Sequence, residues 1–492
     1  MNTYAYFAQR FLQTPERVFL EADSGESFSY ADAERETARY ANFLIGRGLK
    51  VGDRVAAQVE KSPQAVFIYL ACLRAGLCYL PLNNAYQQGE IGYFLGDAEP
   101  AVAICSPQNV EWFSTLTKEA RVPHIFTLDQ NGAGSFAEAA RSSSTEFANA
   151  TSKPDDLAVI IYTSGTTGRS KGAMVTHGNL TSNAQVLCDA WHITNDDTLI
   201  HALPIFHIHG LFVALNTTLL SSAKLIFQRK FDANTVIAAL PHATMLMGVP
   251  TFYTRLLTDP NFTRDACKNM RLFISGSAPL LLDTFNEFRA RSGHTILERY
   301  GMSEAGMICS NPYAGERRGS TVGRPLPGVT LRIDGGDTGG IEIKGANVFS
   351  GYWRMPEKTI EEFSADGYFK TGDIGTIDKD GYISIVGRAK DLIISGGFNV
   401  YPKEIELVID AIPGVTESAV IGVPHPDFGE AVTAVIVRKK GDTMLAEADI
   451  IAHVKAELAN FKVPKRVHFV DELPRNTMGK VQKNILRARF AG

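Results

Sequence analysis

Five apolar residues, Leu157-Ala158-Val159-Ile160-Ile161, run directly into Tyr162-Thr163-Ser164-Gly165-Thr166-Thr167-Gly168-Arg169-Ser170-Lys171-Gly172. The first run reads as a buried strand. The second is suited to holding an anion. Glycines let the backbone approach a ligand closely. Successive N–H groups in such a loop form a concave nest of partial positive charge. The hydroxyls and Lys171 add donors without bulk. The common nucleotide loop G-x-x-x-x-G-K-[ST] is not met, because Gly172 rather than Ser or Thr follows Lys171.

Strand and helix patterns alternate on both sides of this loop. Ser29-x-x-Asp32 marks a helix start, and Gly46 and Gly48 mark its stop. Residues 55–59 read as a strand, 63–75 as a helix, and 79–82, 102–105 and 125–128 as further strands. This alternation calls for a parallel sheet covered on both faces. Residues 134–153, rich in Ala, Ser and Thr, read as a surface connection, and the fold proper is taken to begin near Phe11. The alternation returns over 199–274. After Asn311 short strands with Gly turns take over. Beyond Arg388 the pattern is helix 403–409, strands 418–423 and 431–437, helix 448–459 and strand 467–470. That is an α+β unit large enough for its own core.

The chain has 492 residues, room for two or three domains. A net charge of −4 gives no general affinity for nucleic acid or an anionic membrane. Six cysteines at irregular spacing, with no C-x-x-C pair, read as buried thiols of a reducing compartment. No apolar run is long enough to span a membrane, and the first ten residues lack a signal-peptide core. The expected location is therefore cytoplasmic.

Four further stretches stand out: Glu298-Arg299-Tyr300-Gly301-Met302-Ser303-Glu304, Tyr368-Phe369-Lys370-Thr371-Gly372-Asp373, the run from Gly387 to Val400, and Pro474-Arg475-Asn476-Thr477-Met478-Gly479-Lys480. Together with the anion loop, in this order, they resemble the adenylate-forming superfamily of acyl-CoA synthetases, luciferases and peptide-synthetase adenylation domains. The resemblance covers essentially the whole chain. It implies an α/β fold: a large N-terminal domain of layered β-sheets with helices plus a β-barrel-like part, and a small mobile α+β C-terminal domain. The expected divisions are residues 1–387, a hinge at 388–390 pivoting on Lys390, and a lid at 391–492.

It also implies the chemistry. A carboxylate attacks the α-phosphate of ATP, giving an acyl-adenylate and pyrophosphate, and a thiol then displaces AMP. Negative charge gathers in the transition state, so cations and donors are required there. Thr163, Ser164, Gly165, Thr166, Thr167, Gly168 and Lys171 are expected around the β- and γ-phosphates. Glu304 is expected to hold Mg²⁺, which keeps most of its waters. Ser303, where family members usually carry Thr, donates to a phosphate. Lys480 reaches the α-phosphate and the carboxylate. Asp373 and Arg388 resemble the ribose-binding pair. Ser275, Gly276, Ser277, Ala278 and Pro279 run along the adenine, Tyr300 stacks on it, and Arg299, Gly301 and Met302 complete that wall. Ser395, Gly396 and Gly397 would line a pantetheine tunnel, since paired glycines leave a thiol channel unobstructed.

Substrate choice falls to Pro204-Ile205-Phe206-His207-Ile208-His209-Gly210 and to Gly248-Val249-Pro250-Thr251-Phe252-Tyr253-Thr254-Arg255-Leu256. An arginine facing a pocket is costly to bury unpaired, and a second substrate carboxylate would pair with it. These segments, with E-R-Y-G-M-S-E, look like those of malonyl-CoA synthetases. The match places His207 or His209, Arg255 and, as a further candidate, Arg299 at the distal carboxylate. Ile208 and Met307 would limit a substituent at C2. The expected partners are a small dicarboxylic acid, ATP and CoA, without nucleic acid or membrane, in a monomer or weak homo-oligomer. A medium-chain or aryl-acid CoA ligase, and an adenylation domain that loads a carrier protein, stand as alternatives.

Overall fold

The computed structural model of the chain describes residues 1–163, 170–395, 398–439, 441, 445–476 and 479–490. The chain divides into two compact units. One comprises residues 1–330 with 344–367, and the other 331–343 with 368–492.

The first unit carries two largely parallel sheets. The six-stranded sheet runs His124–Thr127, Val102–Cys105, Arg54–Gln58, Cys78–Pro81, Leu157–Thr163, Lys171–Thr176 in spatial order. All of these pairings are parallel except the last, a hairpin. The nine-stranded sheet has Thr198–His201, Lys224–Phe227, Met245–Gly248 and Leu272–Ser275 at its parallel centre. The helix Pro63–Ala75 shows how the layers form. Ser62 caps it, Pro63 supplies a preset φ, and Gly76 closes it at φ 68°. Every residue of this helix except Gln64 is buried. A helix buried on all its faces belongs between layers rather than on a surface.

The second unit holds two sheets. Thr330–Asp334, Thr338–Lys344, Phe369–Ile377 and Ile383–Arg388 form a four-stranded sheet. The tail forms a five-stranded sheet centred on Gly429–Arg438, packed by helices Pro402–Asp410 and Glu447–Glu457. The short elements read from sequence here are all present, each a residue or more longer in at least one direction.

Three elements differ from the sequence reading. The fold begins earlier than Phe11: Thr3–Phe11 is a helix whose Tyr4, Phe7 and Phe11 are buried at i, i+3 and i+7. Residues 135–140 form a short helix that buries Phe136. Lys483–Phe490 forms a terminal helix, anchored by buried Leu486. No helix among the described residues is long and apolar enough to cross a membrane.

Candidate active site

Thr163 and Lys171 stand opposite each other where the strands of the hairpin part. Ser164, Gly165, Thr166, Thr167 and Gly168, the body of the expected anion loop, lie outside the described residues. A Cβ at Gly172 would meet Ile160 Cγ2 at 2.8 Å, which explains a glycine where the common nucleotide loop has a hydroxyl. Thr163 Oγ1 donates to Glu304 Oε1 at 3.3 Å. The Tyr352 hydroxyl donates to the same oxygen at 3.2 Å. The Tyr352 ring lies under Lys171, with Nζ 4.2 Å from its centroid. Lys171 Nζ is 3.2 Å from Glu362 Oε1. Burial and the charge of Glu304 push the Tyr352 phenol well above its usual range, so it stays a donor.

One aromatic ring therefore holds the Lys171 ammonium on its face and the Glu304 carboxylate at its hydroxyl. Tyr352 carries no functional signal in the sequence, where it falls among the short strands with Gly turns after Asn311. Glu304 suits a hard cation: a carboxylate has acceptor capacity beyond two hydroxyl bonds, and Mg²⁺ is content with one carboxylate and its own waters.

The strand Leu297–Met302 delivers the next group and turns back through Ser303 into Gly306–Ser310. Gly301 is required by this hairpin, since a Cβ there would sit 2.3 Å from Gly306 O. Tyr300, Gly301, Met302 and Ser303 are half-buried. Arg299 is 3% exposed, and its Nε and Nη2 have no hydrogen-bond partner. The guanidinium lies flat against Gly276: a Cβ there would come within 2.6 Å of three of its atoms. Burial draws it down to about 9, against the opposing influence of Tyr253. Ser275, at the end of Leu272–Ser275, is fully buried, with an unpaired Oγ. His209 is fully buried; its Nδ1 lies 3.3 Å from Ser277 Oγ and its Nε2 is unpaired. Burial first, then the positive charge of Arg299, holds His209 well below the usual histidine range. Neutral His209, Ser275 and Arg299 thus leave several unsatisfied polar atoms in one buried region of this unit. Native interiors rarely leave such groups unpaired without a ligand or water to satisfy them.

Arg255 does not join them. It is exposed on the helix Pro250–Thr258, whose buried residues are Tyr253, Leu256 and Leu257. The expectation that Arg255 meets a substrate carboxylate is corrected: this helix buries its apolar stripe and leaves 254 and 255 in solvent. His207 is half-buried, and its Nδ1 accepts from the His209 N–H at 3.2 Å. Ile208 and Met307 are buried. Ile208 lines a small cavity with Asn183, Phe212, Ser303 and Glu304. Ala278 is half-buried and Pro279 exposed, continuing the turn entered by Ser277 at φ 71°.

In the second unit Asp373 and Arg388 face each other on paired strands, Nε to Oδ1 2.8 Å. Asp373 is 2% exposed. Lys480 is exposed at the surface yet crowded by charge. Its ammonium is drawn down to about 8 by desolvation and then by Arg388 and Lys390, with Asp373 and Asp391 opposing. The same kinds of influence lower Lys390. Ser395 is buried at the end of Ile393–Ser395, whereas Gly396 and Gly397 lie outside the described residues.

Comparison with known proteins places the chain in a family. Residues 7–353 match the model of the AMP-binding enzyme family, and residues 404–480 match that of the AMP-binding enzyme C-terminal domain. The crystal structure of ATP-bound MatB from Rhodopseudomonas palustris superposes with a TM-score of 0.97 at 54% identity, covering 100% of this chain and 99% of that one. A malonate–CoA ligase of Arabidopsis thaliana is 32% identical over 96% of this chain and 86% of its own length. A feruloyl-CoA synthase from an Amycolatopsis species is 35% identical over 95% and 94%. The chain belongs to the AMP-binding enzyme family of adenylate-forming acid–CoA ligases.

Proposed function

We propose that this enzyme makes malonyl-CoA from malonate, ATP and CoA through an enzyme-bound malonyl-adenylate. The observation that carries the choice of acid is the buried guanidinium of Arg299, with two unpaired donors beside neutral His209 and Ser275. A monocarboxylic acid would leave that charge buried and unpaired, which is costly. A second carboxylate gives it a planar partner. The name of the Arabidopsis relative supports the same acid, whereas the feruloyl relative keeps an aryl acid as the rival.

In the adenylation step the reactive carboxylate attacks the α-phosphate, its distal partner fixed by Arg299 and His209. Holding the acid at both ends converts a bimolecular encounter into an oriented one. Lys171, steadied on the Tyr352 ring, takes the β- and γ-phosphates with the anion loop and Ser303. Asp373 and Arg388 take the ribose, with the Ser277–Pro279 turn and Tyr300 against the adenine. Glu304 would hold Mg²⁺, whose charge offsets that of the phosphates when bound. We assign Lys480 to the α-phosphate and the reacting carboxylate, and Ser395 with its glycines to the thiol path. The change between the two half-reactions is assigned to motion of the C-terminal segment about Lys390.

ATP–pyrophosphate exchange with malonate, methylmalonate, succinate, butanoate and ferulate, followed by thioester formation with CoA, tests the reading. Malonate should exchange fastest. Butanoate or ferulate exchanging faster than malonate would overturn it.

A further inference from the structure

Lys61 lies beyond the strand Arg54–Gln58 and is 7% exposed. A lysine in Val59-Glu60-Lys61-Ser62-Pro63 would ordinarily be a solvated charge at a helix start. Here the ammonium is turned inward. It donates to His201 Nδ1 at 2.8 Å, His201 O at 2.7 Å and Gln228 O at 2.7 Å, and sits 4.3 Å from the centroid of Phe227. All three of its protons are used, each on a neutral acceptor. Burial holds Lys61 well below the usual lysine range, with the charge of Asp23 opposing.

The tautomer of His201 follows from its other partner. Its Nε2 lies 2.9 Å from Gly210 O, and a carbonyl only accepts. Nε2 therefore carries the proton and Nδ1 accepts from Lys61. Burial, with Lys61 adding to it, keeps this fully buried imidazole neutral down to about 3. The result is a directed chain, Lys61 to His201 to the Gly210 carbonyl. It starts at the end of a strand of one sheet and ends beside His209 in the π-helical turn His209–Leu215. That turn has little room to adjust, since a Cβ at Gly210 would sit 2.1 Å from Pro204 O.

We propose that Lys61 is a positioning residue for acid selection: acting through His201, it fixes the peptide at Gly210 and hence the place of His209 beside Arg299. The proposal rests on the reading of His209 and Arg299 as the acid-binding groups. A purely structural lysine would tie the two sheets together and affect both substrates alike. A lysine acting on the turn affects the acid.

The test uses the full-length enzyme and whichever acid the wild type activates fastest, so an error in naming the acid shows in the wild type alone. Lys61→Met should raise KM for the acid by about tenfold or more, since small misplacements of a binding group are this costly. KM for ATP should move by less than about twofold, within ordinary measurement scatter for an untouched site. His201→Leu should behave like Lys61→Met. His201→Gln should restore the acid KM, because one amide oxygen accepts from Lys61 and its NH₂ donates to Gly210. If Lys61→Met does not fold, the His201→Gln and His201→Leu pair decides the matter. An unchanged acid KM in His201→Leu, or KM values for acid and ATP rising together, would overturn the proposal.

Discussion

Arg299→Met removes the buried charge while keeping much of the side-chain volume, and it should change stability and activity in opposite directions. The guanidinium is held at about 9 instead of 12.5, and at ~1.4 kcal/mol per pH unit its burial opposes the charge by roughly 5 kcal/mol. At pH 7 the group is protonated in both folded and unfolded chains, so the full penalty is present. It is relieved as pH rises from 9 toward 12.5, where the folded chain binds fewer protons than the unfolded one. Relaxation and water reduce the recoverable part, so the ligand-free variant should gain about 1–3 kcal/mol. Losing the partner of a buried carboxylate costs about 3–5 kcal/mol, which at ~1.4 kcal/mol per tenfold lowers kcat/KM for malonate by roughly a hundredfold to a few thousandfold. Thermal melting with and without malonate, together with pyrophosphate exchange, reads both effects. The wild type should gain melting temperature from malonate; the variant should start higher and gain almost nothing. Butanoate exchange should hold or improve. A variant that keeps malonate exchange within tenfold of wild type would refute the reasoning.

Lys480→Ala should abolish adenylate formation yet spare thioester formation from pre-made malonyl-adenylate, measured as CoA consumption; normal overall turnover would remove the assignment. Because Lys480 must be protonated to meet a phosphate and is drawn down to about 8, the adenylation rate should fall as pH rises through about 8. Lys390→Gln, which removes a neighbouring positive charge, should move that limb to higher pH, as read from initial exchange rates. Arg255→Leu should leave malonate kcat/KM unchanged, since this residue is in solvent; a collapse would return Arg255 to the site. Tyr352→Phe should raise the magnesium concentration needed for half-maximal exchange and leave KM for malonate unaltered.

Much of the architecture was written in local pattern. The helix over 63–75 carries its cap, proline and terminal glycine in consecutive letters, and its bounds match the sequence reading to the residue. The strand 102–105 is equally plain. The helix Thr3–Phe11 was passed over although Asn2 caps it and its aromatic residues recur at i, i+3 and i+7, the helical period; its first turn lacks only an acidic residue. The acid site was half legible. Its residue types and motifs could be read, but which arginine is buried depends on packing. Arg255 sits in a helix whose apolar stripe is one residue away, so a small rotation decides its exposure. Arg299 follows buried Glu298 on a strand covered on both sides, and period-two alternation would have put one of the two in solvent. Lys61 carries no local signal at all, because its three acceptors come from residues 201 and 228. Nothing short of tertiary structure brings them together.

The most direct measurement is a crystal structure of the enzyme with a non-hydrolysable malonyl-adenylate analogue. The distal carboxylate should lie within hydrogen-bond distance of Arg299 Nε and Nη2, with His209 Nε2 alongside. A distal carboxylate turned toward solvent, with the Arg299 donors still unmet, would contradict the assignment of this pocket to a diacid.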